Sequence, residues 1–293
     1  MPELPEVETI VRGLQATLPG KRILQLRLGK TDFIDAPAAL QARLPGSRIA
    51  TVKRYGKFIV FDLEPPNGMA RSFSFLIHLG MTGRIVVCRP DVLIPPHTHV
   101  FFALDDGREL RYTDARRFGS MQILPESTRV DFLGKLGADP LETTVAEFIA
   151  TLRNHRARIK SLLLDQRVLR GMGNIYTDES LWRAGIHPKR IGATLSDAQL
   201  RRLFRVVRLV LNEAIRLGGS SISDYVNSEG LPGEFQFRHR VYLREGKSCF
   251  RCGTSIRRVI VAGRSSYFCP RCQRAPRKRS LRKSKTARRQ RQR

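Results

Sequence analysis

Apolar side chains at Val7, Ile10, Val11, Leu14 and Leu18 fall at the i, i+3, i+4, i+7, i+11 spacing of one helical face. Pro5 opens the run, Glu6 and Glu8 place acids in its first turn, and Pro19-Gly20 stops it, so the pattern predicts an amphipathic helix over 5–18. From 22 to about 124 the texture changes to short β-branched and aromatic runs: RILQLRL, RIATV, FIVFDL, SFSFLI, RIVVC, THVFFAL, RELRYT and FGSMQIL. Turn residues separate them, among them Pro45-Gly46, Pro65-Pro66-Asn67-Gly68 and Asp105-Asp106-Gly107. Many short strands behind one helix predict an antiparallel β-sandwich or barrel.

Glycines and a proline interrupt the pattern at 131–141 (DFLGKLGADPL), and helical periodicity follows over 145–153, 157–166, 176–184 and 196–217. The last is the clearest. Ser196 stands as its N-cap, Leu200, Leu203, Phe204, Val207, Val210, Leu211, Ala214 and Leu217 line one face, and Gly218-Gly219 end it. The chain therefore reads as α+β, with a β-rich unit over 1–130, a linker over 131–141, a helical unit over 142–243, a cysteine-bearing segment over 244–272 and a tail over 273–293.

Charge narrows the partners. The 293 residues hold 53 Lys and Arg against 26 Asp and Glu, a formal charge of +27, with 41% hydrophobic residues, too many for a disordered polyelectrolyte. So many cations point to a polyanionic partner, nucleic acid first and an anionic membrane surface second. No apolar run approaches the roughly 18 residues of a membrane span, and MPELPEVET is acidic where a signal peptide is basic, so a soluble, cytoplasmic protein is expected. The tail, QRAPRKRSLRKSKTARRQRQR, contributes 11 of the cations and no acid; the first 272 residues still carry +16. With almost nothing apolar to bury, it reads as a disordered arm, either solubilising or phosphate-binding.

Cys249-x-x-Cys252 and Cys269-x-x-Cys272, 16 residues apart, have the spacing of a four-thiolate zinc ribbon. The segment between them reads as strand, turn at Ala262-Gly263-Arg264, strand, a hairpin that would bring the two knuckles together. Two disulfides are the alternative, disfavoured inside a cell. Protein fills all four positions, so the Zn2+ expected here is structural. Cys88 reads as a small buried apolar residue. Arg170-Gly171-Met172-Gly173-Asn174, between two expected helices, has the form of an anion-binding turn, with the amides opening the next helix aimed at a phosphate; a plain structural turn uses the same residues. Pro2 offers a further option. Once Met1 is removed, its secondary amine can attack an electrophilic sugar carbon and give an iminium ion directly, with Glu3 beside it as an acid, although both residues could equally just begin a helix.

MPELPEVET, His78-Leu79-Gly80-Met81-Thr82-Gly83, Arg111-Tyr112-Thr113-Asp114-Ala115-Arg116-Arg117-Phe118-Gly119, Gly173-Asn174-Ile175-Tyr176, Ala184-Gly185-Ile186-His187-Pro188 and the ribbon occur in this order. Together, over about residues 1–272, they resemble the bacterial formamidopyrimidine-DNA glycosylases, repair enzymes that excise oxidised purines. The resemblance implies a bifunctional glycosylase and AP lyase with an N-terminal β-sandwich, a helix–two-turn–helix domain, a zinc finger and damaged double-stranded DNA in the cleft between them. It implies Pro2 as nucleophile, Glu3 as proton donor during base loss and ring opening, Lys57 as donor for β-elimination, and Arg264 as donor for δ-elimination and phosphate ligand. Asn174 would hold the phosphate near the lesion. Met81, Arg116 and Phe118 would fill the void a flipped nucleotide leaves, with Arg116 reading the orphaned base. His97 matches a DNA contact. His155 stands where the family pattern has a lysine, so a cation becomes a mostly neutral ring, and Arg156 and Arg158 are placed to compensate. Ordinary strand core is the competing reading for Met81 and Phe118. The loop 218–237, rich in Gly and Ser, is a candidate cover for the flipped base, and a monomer is expected. The sister endonuclease VIII type, which prefers oxidised pyrimidines, is the nearest alternative, disfavoured by MPELPEVET and RRFG; a non-catalytic zinc-ribbon DNA-binding protein is the other.

Overall fold

The computed structural model describes residues 2–66 and 72–275; the tail beyond Ala275 lies outside them. Helix α1 (Leu4–Thr17) follows the expected periodicity and buries Leu4, Val7, Ile10, Val11 and Leu14. All eight expected strands form: β1 (Ile23–Leu28), β2 (Arg48–Tyr55), β3 (Phe58–Glu64), β4 (Phe73–His78), β5 (Arg84–Cys88), β6 (Thr98–Leu104), β7 (Glu109–Thr113) and β8 (Ser120–Pro125). They make two four-stranded antiparallel sheets, in the orders β1-β6-β7-β5 and β2-β3-β4-β8. Phe75 lies opposite Phe61 in one register and Ile123 in the other, and its ring meets Phe102 of the second sheet at 5.8 Å, so the sheets pack face to face. The apolar face of α1 shares this core.

Two helices lie outside the sequence expectation. Helix α2 (Pro37–Arg43) buries only Leu40 and α3 (Glu126–Gly134) only Leu133, so neither has an amphipathic stripe for periodicity to detect. Helix α3 also runs through the expected unit border at 130, so the 131–141 segment begins as helix rather than as linker.

The helical unit contains α4 (Val145–Arg153), α5 (Ile159–Leu164), α6 (Asn174–Ala184) and α7 (Asp197–Arg216). Ser196 caps α7 as expected, its Oγ accepting the Gln199 amide at 3.3 Å, and Gln199 Oε1 completes a capping box by accepting the Ser196 amide at 3.0 Å. Strands β9 (Arg257–Val261) and β10 (Arg264–Phe268) form the cysteine-flanked hairpin. The packed part of this segment continues past 272. Gln273 is buried; its Oε1 accepts the Cys269 amide at 2.9 Å and its Nε2 donates to the Ile186 carbonyl at 2.8 Å.

Candidate active site and nucleic-acid interface

The chain start is locked onto the helical unit. Leu4 N–H donates to the Gly171 carbonyl at 3.0 Å, and the Glu3 carboxylate accepts the Ile175 amide at 3.0 Å at the N-terminus of α6. A carboxylate there meets unpaired amides and the positive end of the helix dipole. Gly173 permits the approach, because a Cβ on it would lie 2.2 Å from Glu3 Cδ. The amides opening α6, expected to face a phosphate, are thus taken by the protein's own Glu3. Asn174 begins α6, and its Oδ1 has no hydrogen-bond partner among the described residues.

Pro2 is buried, and a second carboxylate, Glu6, lies beside Glu3. Glu6 accepts the Glu3 amide at 2.8 Å, the Ser220 amide at 2.8 Å and the Tyr176 hydroxyl. Burial, reinforced by the charge of Glu3, pushes its carboxyl up to about 7. Lys57 is delivered by the tight turn between β2 and β3, where Gly56 adopts φ +60°. It is buried, and burial lowers its amine below the ordinary lysine value; Arg264 lowers it further while Glu3 and Glu6 oppose. Burial and the charge of Lys57 push His78 down to about 4. Glu3, Lys57 and Arg264 therefore occupy one electrostatic neighbourhood, although they come from α1, a β-turn and the hairpin.

Arg264 follows the turn Ala262-Gly263, both at positive φ, and begins β10. The strand is pinned from behind. Lys160 of α5 donates to the Ser265 carbonyl at 2.8 Å, and Asp178 of α6 accepts the Tyr267 amide at 2.9 Å. The two side chains pair at 2.7 Å, fully buried. Burial pushes the Asp178 carboxyl up to about 7 despite Lys160. Glu179, also buried, accepts the amides of Arg240, Val241 and Tyr242 at 2.9–3.0 Å and holds the chain entering the finger.

The four cysteine sulfurs all lie within 4.8 Å of one another, with Cys249 to Cys272 at 3.9 Å and Cys252 to Cys269 at 3.4 Å. Thiolates about 2.3 Å from a tetrahedral zinc lie at comparable mutual distances. The donor set therefore fits one structural Zn2+ and no catalytic one, and disulfides are excluded by these separations.

Two loops form a ridge on the sandwich. Gly80 adopts φ +58°, and a Cβ there would lie 2.3 Å from the Phe118 carbonyl carbon, so the 78–84 and 114–120 backbones touch. Buried Asp114 holds the second loop by accepting the Gly119 amide at 2.9 Å, the Tyr112 hydroxyl at 3.1 Å and the Thr82 hydroxyl. Met81 and Phe118 are 40% and 58% exposed, and the Arg116 guanidinium lies 4.5 Å from the Phe118 ring centroid. These are not strand-core positions. His97, exposed at φ +65°, joins the same edge through its carbonyl, which accepts the Asp114 amide at 3.0 Å. His155 lies exposed between α4 and α5, and no hydrogen bond or ion pair ties it to the other site residues.

Sequence reasoning did not single out Glu6, Asp114, Lys160, Asp178 or Glu179. Glu6 looks like any acid in a first helical turn, and the others become notable only as charges without water.

A β-sandwich, a helical unit and a four-cysteine finger whose functional groups converge where the three meet define a zinc-finger protein of nucleic-acid chemistry. The comparisons are specific. Models of the Formamidopyrimidine-DNA glycosylase N-terminal domain, the Formamidopyrimidine-DNA glycosylase H2TH domain and the zinc finger found in FPG and IleRS match residues 1–121, 136–226 and 246–275. Formamidopyrimidine-DNA glycosylase of Solibacter usitatus is 46% identical over 93% of this chain and 99% of its own. That of Geobacillus kaustophilus is 42% identical over 94% and 100%. The Lactococcus lactis Fpg structure with an abasic site containing DNA aligns at TM-score 0.85 and 32% identity, covering 93% of this chain and 100% of that one. This chain belongs to the formamidopyrimidine-DNA glycosylase family.

Proposed function

We propose that the chain excises oxidised purines from duplex DNA through the amine of Pro2 and then cuts the strand at the resulting abasic site. As a family member it is a base-excision-repair DNA glycosylase with AP lyase activity. The observation that carries the residue assignment is the Glu3 carboxylate, adjacent in sequence to Pro2 and fixed on α6 at 3.0 Å.

In this reading the Pro2 nitrogen attacks C1′ of the flipped nucleotide and the base departs. Glu3 delivers a proton as the ring opens to the iminium ion. The C2′ proton then passes to solvent as the C3′–O bond breaks and the 3′ phosphate leaves, with Lys57, whose amine burial makes less basic than an ordinary lysine, donating a proton to the departing phosphate. Arg264 serves the second, δ-elimination and holds a phosphate, and the zinc finger supplies its rigid support. Asn174 and His97 contact the backbone, His155 only weakly; Met81, Arg116 and Phe118 enter the space of the flipped nucleotide. All these groups come from one chain, which supports a monomer. No helix among the described residues is long and apolar enough to cross a membrane.

Substrate class is tested by single-turnover base release from duplexes carrying 8-oxoguanine, formamidopyrimidine or dihydrouracil. The Lactococcus lactis relative has been solved with an oxidised pyrimidine containing DNA, so dihydrouracil is a real competitor. Faster release of both purine lesions is expected; a dihydrouracil rate above both would transfer the chain to the pyrimidine reading.

A further inference from the structure

The outer face of α7 carries a charge pattern that the catalytic site does not use. At 100° per residue, Arg201, Arg205, Arg208, Asn212 and Arg216 fall within an arc of roughly 80° and along about 22 Å of helix axis. Arg202 and Leu209, the latter 65% exposed, flank the arc on one side. The buried stripe of α7, from Leu200 through Val207 to Ala214, lies on the opposite side. The acids of the helix are committed elsewhere: Asp197 pairs with Arg153, and Glu213 with Arg183 at 2.6 Å. Arg201, Arg205, Arg208 and Arg216 make no ion pair among the described residues. Like charges spaced i, i+3 and i, i+4 destabilise a helix unless an anion lies among them.

Its position separates this stripe from the cleft. Helix α6 lies between α7 and β10, and α1 packs on the buried side of α7. The arginines therefore point away from the elements that carry Pro2, Glu3, Asn174 and Arg264.

We propose that the arginine stripe of α7 is a second DNA-binding surface, which takes the phosphate backbone of a separate duplex segment while the cleft holds the first. Arginine forks match phosphate oxygens, and about 22 Å covers roughly six base pairs at 3.4 Å of rise. Contacts to phosphate oxygens carry no sequence information, so the contact is indifferent to sequence. A protein partner fits less well, because the fully buried core of a protein interface is depleted in charge, and this stripe holds four cations, unpaired among the described residues, with one neutral residue, Asn212, among them. The consequence is direct transfer of the enzyme between DNA segments without passage through free solution.

The test loads full-length protein on a labelled duplex with an uncleavable abasic-site analogue and follows release as unlabelled lesion-free duplex is raised. Release is expected to accelerate several-fold with competitor concentration. In an R201Q/R205Q/R208Q/R216Q variant it is expected to lose that dependence, while release at vanishing competitor and single-turnover excision stay unchanged. An R201K/R205K/R208K/R216K variant keeps the charges and should keep the dependence, which separates charge loss from misfolding. Residues 276–293 add ten cations, so a chain ending at Ala275 is run in parallel and should retain the effect. Competitor-independent release by the wild type overturns the proposal, as does dependence that vanishes with the truncation yet survives in the glutamine variant. Acceleration by poly-glutamate but not by duplex would also overturn it, in favour of an acidic protein partner.

Discussion

Glu3 and Ile175 are 172 positions apart, yet the carboxylate of one accepts the amide of the other at 3.0 Å. This bond fixes the residue beside the candidate nucleophile to the helix whose first residue is Asn174. The proposed proton donor and the helix carrying the proposed phosphate ligand are thus tied directly to each other.

Glu3→Gln retains an acceptor for the Ile175 amide but removes the charge and the transferable proton. Loss of a carboxylate from a helix N-terminus costs about 0.3–1 kcal/mol, so the fold should persist. Base release should fall by about 10²-fold or more, the usual scale of a general acid. Single-turnover excision beside a thermal melt checks this; near-normal excision by the variant would remove Glu3 from the proton-transfer role.

Glu6 makes stability depend on pH. Its carboxyl titrates at about 7 in the folded chain against 4.5 for the ordinary group, because it is buried and Glu3 is beside it. Between those values the folded chain keeps a proton that the unfolded chain has lost. Its contribution is therefore complete below about 4.5 and is lost as pH rises through about 7. Urea melts at about pH 5 and pH 7 should show wild type losing more stability over that interval than Glu6→Gln. Parallel pH dependence in the two proteins would contradict the assignment.

Gly80→Ala tests the ridge. A Cβ would press on the Phe118 backbone from a residue at φ +58°, a strain on the order of 1–3 kcal/mol. Displacing Met81 and Phe118 should slow excision of a paired lesion while sparing a preformed abasic site, where no stacked base must be extruded. Equal slowing on both substrates would show that the ridge does not serve extrusion.

Zinc removal should act on Arg264 before anything else. The hairpin has a small core of its own and draws its position from the metal, from Lys160 and from Asp178. Cys249→Ser should release the metal, weaken DNA binding and turn β,δ-elimination products into β-elimination products. Metal analysis and gel separation of the cleaved ends report both effects; δ-products undiminished in a metal-free protein would exclude the role.

Much of this was legible in the sequence because it is local. β-Branched and aromatic runs between turn residues marked all eight strands, the Ser196 N-cap and one apolar face marked α7, and the CxxC spacing marked the metal site. What was not legible depends on contacts between distant segments. Gly173 reads as an anion-loop glycine until Glu3 is seen against it, and Asp114 reads as a loop acid until it is found holding Gly119, Tyr112 and Thr82. The buried pair Lys160–Asp178 is separated by 18 residues and has no periodicity to announce it. Pro2 offered its secondary amine, yet nothing local chose that reading over a plain helix start, and the roles of Lys57 and Arg264 came from family resemblance alone, since each is unremarkable in its own segment.

The central claim is that the Pro2 amine forms the bond to DNA, and borohydride trapping on a duplex carrying 8-oxoguanine opposite cytosine tests it most directly. The covalent adduct should map to Pro2. It should disappear when Met1 is retained or the N-terminus is blocked, while affinity for lesion-free duplex stays within about twofold, because that affinity rests on phosphate contacts. Undiminished trapping by the blocked protein, or an adduct mapped to a lysine, would contradict the account.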